Sequence, residues 1–293
     1  MMNRMQFGLA VACIGLAATA MAEQRTYRIG NSLTWDSQPK AIEMLVAQRD
    51  LKHIEAYHIN CGKSLERIWT HPEEVCVKVV EPFGTFGNAL PNYDWEAVTF
   101  QSHPGGNSTL ATDTARILDF IAKTQEKGRN AKTVFYVYAP WPGQRHGAYH
   151  EVWTRDTPDA DDTKTIQTRA YFDHLIKRVR AKTDADVRMI PAGHVVFELD
   201  RRMRAGKIEG YKSAADLYRD VVHMNNVGRF SAGVTTFATL FGQNPAGLTC
   251  PPGGYGGGKD FSPELYAQIH DAVWTVLTKM QAVTGATATD KAK

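Results

Sequence analysis

The sequence predicts an α/β fold: a three-layer sandwich in which a five-stranded parallel sheet is covered by helices on both faces. Three observations carry that prediction. Short β-prone runs alternate along the chain with amphipathic stretches of helical spacing. The most β-prone run, KTVFYVYAPW over 132–141, lacks a clean apolar–polar alternation, as expected of a central strand covered on both faces. No internal repeat or composition break divides the chain, so the alternation fills one domain with right-handed crossovers.

TYRIG at 26–30 is the first strand, and it breaks at Gly30-Asn31-Ser32. Pro39 opens a helix in PKAIEMLVAQRD, where Ile42, Leu45 and Val46 share a face. HIEAYHI at 53–59 alternates as a strand does and stops at Asn60-Cys61-Gly62. DWEAVTFQS at 94–102 is the third strand. The helix after it carries Leu110, Ile117, Leu118 and Ile121 on one face, with Ser108 as cap and Lys127-Gly128 at its end.

Beyond the central strand comes a polar, aromatic-bearing stretch, 142–162, then an amphipathic helix near 164–182 with Ile166, Ala170, Leu175, Ile176 and Val179. DVRMIPAG at 186–193 is the fifth strand. Val227, Phe230, Val234, Phe237 and Phe241 recur three and four apart in a helix that Gly242 stops. A last helix fills 262–283, and residues 285–293, small and charged, are expected to form a flexible tail.

The N-terminus has Arg4 as its only charge before Glu23, an apolar run from Phe7 to Ala18, and Ala20-Met21-Ala22. That is the layout of a secretory signal peptide over 1–22, with an apolar run too short to span a bilayer. The protein is therefore expected to be exported, to the periplasm or outside the cell, with a domain over 23–284. A lipidated Cys13 is a weaker alternative, because Ala10 stands where a larger aliphatic is usual. Removing the leader lowers the net charge from +3 to +2 on 271 residues, so neither nucleic acid nor an anionic membrane is implied as a partner. Three cysteines remain: Cys61, Cys76 and Cys250. At least one is free or pairs outside the chain, and Cys61 with Cys76 is the nearest pair in sequence.

In a parallel sheet of this kind the site lies beyond the carboxyl ends of the strands. Ser32, Gly62, Gln101, Trp141 and Gly193 are the strand-ending residues to inspect. Ser32 alone reads as a turn residue, because Ser and Asn beside Gly are ordinary turn chemistry. A serine nucleophile needs a base, and the base needs an acid that fixes its tautomer. The stretch YRDVVHMNNVGRF offers both, with Asp220 and His223 three apart just ahead of a helix. His103 and His194 each end a strand and are rival bases, but neither has an acid placed beside it by sequence.

These residues together resemble the SGNH hydrolases, the GDSL-type esterase and lipase superfamily. The matching blocks are Gly30-Asn31-Ser32, Gly62, and Asp220 to His223 followed by MNNVG, in the family's order over nearly all of the mature chain. The resemblance implies a flavodoxin-like fold with Ser32 as nucleophile, His223 as base and Asp220 as orienting acid. The backbone N–H groups of Ser32 and Gly62 would form part of an oxyanion hole. Two departures stand out. Asn31 replaces the more usual Asp of the first block, as in several branches of the family. The third block's Gly-x-Asn-Asp is absent, and the strand ends in Phe100-Gln101-Ser102-His103. Gln101 carries the same NH2 donor on a longer stem and is the candidate third oxyanion donor, against the alternative that it caps the strand or holds a loop.

Other signals are set aside. Gly253 and Gly258-Lys259 imitate a phosphate-binding loop, but Pro251-Pro252 precedes them and Asp260 stands where Ser or Thr is needed. His146 and His150 have metal-ligand spacing without a helix or third ligand, and PDADD at 158–162 lacks the Gly and Glu of a calcium loop. No metal or cofactor is expected. Trp141, Tyr149 and Trp153 either fill the core edge or form a stacking wall, and Trp141, Trp153 and His103 are the candidate substrate-binding residues. The expected activity is a serine carboxylic-ester hydrolase removing short acyl groups, acetyl above all, from a carbohydrate. A neutral to mildly alkaline optimum follows if His223 must be unprotonated. The alternative is a carbohydrate-binding protein on the same fold that has lost catalysis.

Overall fold

The computed structural model describes residues 23–104 and 108–285. The expected leader over 1–22 and the tail after Gly285 lie outside the described residues. The chain begins with β1 (Gln24–Gly30), a short helix α1 (Ser32–Asp36) and α2 (Pro39–Ala47), followed by β2 (His53–Ile59). Two short helices, α3 (Leu65–Thr70) and α4 (Phe86–Asn92), lead to β3 (Ala97–Phe100), α5 (Leu110–Gln125) and β4 (Val134–Tyr138). Then come α6 (Tyr149–Trp153), α7 (Arg169–Arg180), β5 (Val187–Ile190), α8 (Ala192–Arg204), α9 (Asn226–Phe241), α10 (Pro263–Lys279) and α11 (Gln281–Thr284).

All five strands are parallel in the order β2-β1-β3-β4-β5. The register aligns their carboxyl ends, pairing Gly30 with Ile59, Ile29 with Phe100, Phe100 with Val137 and Tyr138 with Ile190. Helices α8, α9 and α10 pack on one another, with α2 against α9, and α3, α4 and α7 pack around α5 as a second layer. This is the three-layer α/β sandwich that the alternation predicts, and its strand order is flavodoxin-like. The order reverses between β1 and β3, so the crevice of the fold opens above Gly30 and Phe100.

Local chemistry explains several helix ends. The Thr109 side chain accepts the Thr112 N–H and caps α5, displacing Ser108 from the expected cap. Ser108 instead donates to the buried carboxylate of Asp113. The helix expected near 164–182 begins later, where Thr168 accepts the Tyr171 N–H. Asn225 accepts from the N–H groups of Val227 and Gly228 to start α9, and Gly242 at φ +64° ends it. Between the sheet and α5, Phe100 stacks on both Phe120 and Phe135, and Trp69, Phe86 and Phe120 close the cluster.

The structure also corrects the fifth strand. The run DVRMIPAG does not stay extended to Gly193, because β5 stops at Ile190 and α8 starts at Ala192. His194 therefore lies inside a helix rather than at a strand end. It is buried with its ring edge-on to Trp153, and that burial, with Arg169 nearby, pushes its pKa down to about 3. It is a neutral core histidine and no rival for the base.

Candidate active site

The turn after β1 places Ser32 at the first position of α1, capped by the Asn31 side chain, which accepts the Leu33 N–H. The turn is tight. A Cβ on Gly30 would fall 2.2 Å from Thr34 Oγ1 and 3.0 Å from Gln101 Cβ, so only glycine lets strand, helix and Gln101 meet there. Asn31 also donates from its side chain to the Lys63 carbonyl at 3.2 Å, tying the nucleophile turn to the turn after β2. Gly62 occupies that second turn at φ +67°. A disulfide joins Cys61 to Cys76 beside it, leaving Cys250 as the free thiol. Neither the Ser32 N–H nor the Gly62 N–H has an acceptor among the described residues. Both are therefore free to donate to an oxyanion, from turns that the Asn31 to Lys63 bond ties together.

The base and acid come from the loop ahead of α9. Arg219 N–H bonds the His223 carbonyl at 2.9 Å and closes the loop, and Asn225 N–H bonds Leu217 O at 2.7 Å below it. Asp220 Oδ1 accepts the N–H groups of Val222 and His223 at 2.9 and 2.8 Å. The Asp-x-x-His spacing therefore works through a side-chain turn and not through a turn of helix. The same carboxylate lies 3.0 Å from His223 Nδ1, and His223 Nε2 lies 2.9 Å from Ser32 Oγ. Burial opposes the charge on Asp220, but the His223 and Val222 N–H groups and the imidazole outweigh it and bring its pKa to about 2. An ionised carboxylate only accepts, so Nδ1 carries the proton and the Nε2 lone pair faces the serine hydroxyl.

The loop is held from two sides. Trp141 Nε1 donates to Val222 O at 2.8 Å, and Gln144 N–H donates to Val221 O at 2.8 Å, both from the segment after β4. On the other side Asp36, four residues from the nucleophile, accepts the Met224 N–H at 2.9 Å and pairs with Arg219 and Arg229 at 3.4 Å. Asp36 is almost wholly buried, and burial raises its pKa against the pull of the Met224 N–H and both arginines. Asp36 is not visible from sequence, because a five-residue helix is too short to show a period. Its one-turn spacing from Ser32 means something only once α1 is known.

Three expectations about side chains are corrected. Gln101 is fully buried, and its carboxamide oxygen accepts from Asn31 N–H at 3.1 Å and Thr34 Oγ at 2.9 Å. Its NH2 group donates to Ser102 O, so it braces the nucleophile turn and is not aimed at an oxyanion. Trp141 is fully buried, and its hydrogen bond makes it a support of the His223 loop, not a substrate wall. Trp153 is also fully buried, against Tyr149, Phe172 and His194, because α6 turns it into the core. Tyr149 follows it inward and bonds Gly193 O. His103 stands just past β3, half-buried, and burial together with Arg145 lowers its pKa. No described residue hydrogen-bonds it. The described residues hold no cluster of three or more metal-ligating side chains.

The chain matches no family model and no curated protein sequence. It is similar in structure to a DUF4886 family protein from Bacteroides uniformis, with a TM-score of 0.61 and 17% identity over 92% of this chain and 98% of that one. At that identity the likeness speaks for the fold alone.

Proposed function

We propose that this protein is an exported serine ester hydrolase of the SGNH type. The observation that carries the reading is the continuous contact Asp220–His223–Ser32, with each link at hydrogen-bond distance. As Ser32 Oγ attacks an ester carbonyl, its proton passes to His223 Nε2, and the oxyanion takes hydrogen bonds from the Ser32 and Gly62 N–H groups. His223 then gives the proton to the departing alcohol. Water attacks the acyl-enzyme with His223 again as base, which releases the acid and restores Ser32. Asp220, with its pKa near 2, stays charged throughout the pH range in which His223 works.

The substrate we favour is a short acyl ester, an acetylated carbohydrate above all, with His103 as a candidate contact. Trp141 and Trp153 are buried and offer a sugar no wall, so the preference rests on the export that the sequence of residues 1–22 leads one to expect. A second reading, a glycan-binding protein without catalysis, draws on one observation: the Gln101 NH2 group is already bonded to Ser102 O.

Hydrolysis of p-nitrophenyl acetate, butyrate and octanoate by protein starting at Glu23, beside Ser32→Ala, tests the reading. Activity should fall with acyl length, disappear in Ser32→Ala, and drop about 10²–10⁴-fold in Asp220→Asn. A folded wild type that is no faster than Ser32→Ala and takes no fluorophosphonate label at Ser32 would turn the case to the binding protein.

A further inference from the structure

A pocket of about 310 Å³ lies beside the loop that carries Asp220 and His223. It shares a wall with that loop. Gln144 lines it and bonds Val221 O through its N–H, and Tyr218 lines it and donates its hydroxyl to Pro142 O at 2.6 Å. Neither Ser32 nor His223 lines it.

One carboxylate oxygen in the pocket wall lacks a hydrogen-bond donor among the described residues. Asp200, on α8, is 1% exposed, and its Oδ1 accepts the Ala214 N–H at 2.7 Å. Its Oδ2 has no hydrogen-bond partner among the described residues, and His150 Nδ1 is 4.0 Å away. Buried carboxylate oxygens are rarely left without a donor, because the lost hydration is costly.

The remaining wall narrows the chemistry. Arg204 lines the same pocket, exposed and without an acceptor among the described residues. A cation would be repelled by Arg204 and an anion by Asp200. A metal ion would find only two histidine or carboxylate ligands in the lining, Asp200 and His150. A neutral polyol satisfies both charges, since each hydroxyl donates and accepts. Tyr149 and Tyr218 also line the pocket, and its volume stands at the small end of ligand pockets, the size of one ring. We propose that this pocket binds a single neutral sugar unit, one hydroxyl donating to Asp200 Oδ2 and another accepting from Arg204. The site does not depend on the chemistry of Ser32.

The test is saturation-transfer NMR and titration of the full chain from Glu23 with methyl glycosides of glucose, galactose, xylose and N-acetylglucosamine. Asp200→Asn and Ala148→Trp are measured beside the wild type. Ala148 is exposed at the rim, so the indole blocks the mouth without entering the core. At least one glycoside should bind the wild type, with affinity reduced about tenfold or more in both variants. No binding by the wild type overturns the proposal, as does binding that Ala148→Trp retains, which would place the sugar elsewhere. Loss in Ala148→Trp with full binding in Asp200→Asn would overturn the Asp200 contact. If Asp200→Asn does not fold, Ala148→Trp decides alone.

Discussion

The Asp36 carboxylate accepts the backbone N–H of Met224 at 2.9 Å, so the helix that begins with Ser32 is joined to the loop that carries His223 one residue from His223 itself. The hydrogen bond between Ser32 and His223 depends on two segments 191 residues apart in sequence. Asp36 fixes their separation from within the core.

Asp36→Ala should therefore lower kcat on p-nitrophenyl acetate by about 10–100-fold with little change in KM, since a small misplacement of a base costs this much. Stability should fall by roughly 3 kcal/mol, because Arg219 and Arg229 lose a buried partner. Asp36→Asn keeps an acceptor for Met224 and should lose less activity. Full kcat in folded Asp36→Ala would show that the tie does not set the geometry.

Trp141→Phe keeps most of the ring volume and deletes the donor to Val222 O. A stability loss of about 1–3 kcal/mol is expected from the unpaired carbonyl. The kcat loss should exceed that of Trp153→Phe, whose ring touches the core and not the loop. Equal effects in the two variants would remove the special role of Trp141.

The Cys61–Cys76 disulfide closes a 15-residue interval that includes the Gly62 turn. Its removal in the Cys61→Ser, Cys76→Ser double variant should cost about 3 kcal/mol in denaturant unfolding by the loop-closure argument. Activity should also fall, since Gly62 then moves relative to Ser32. A variant with wild-type kcat would argue that Gly62 is placed by the Asn31 to Lys63 bond alone.

His194 predicts an acid limb in stability. Its folded pKa, about 3, lies below the ordinary histidine value because the ring is buried, and His270, at about 4, behaves alike. A depressed pKa means that the unfolded chain takes up a proton first. The stability these rings contribute is fully present above pH 6.5 and is lost as pH falls toward 3–4, by an amount on the order of a few kcal/mol for His194. Thermal unfolding from pH 7 to 4 should show a falling Tm, and His194→Phe should flatten the slope. An unchanged slope would refute the assignment.

Much of the fold was legible because its signals are local. The five β-prone runs, the Asn60-Cys61-Gly62 stop and the Gly242 helix end each follow from residues within a few positions of one another. Helix α8 was not legible. Pro191 and Gly193 stand at its start, and the buried polar residues His194, Glu198, Asp200 and Arg202 interrupt the apolar face that a helix normally displays. The aromatic residues after β4 misled for a different reason. A tryptophan on a polar stretch suits a binding wall as well as a core edge, and only packing shows that Trp141 and Trp153 point inward.

The sequence by itself determined the layers of the sheet and three candidate side chains, Ser32, Asp220 and His223, because strand ends, helix caps and an Asp-x-x-His spacing are written in short stretches of chain. Only the tertiary structure decided that these three touch, that Gln101 braces the turn, that Cys61 and Cys76 meet, and that Asp36 links the nucleophile helix to the loop of the base. Those contacts join residues up to 191 positions apart, and their distances are set by how helices and strands pack, a property that no local pattern of residues encodes.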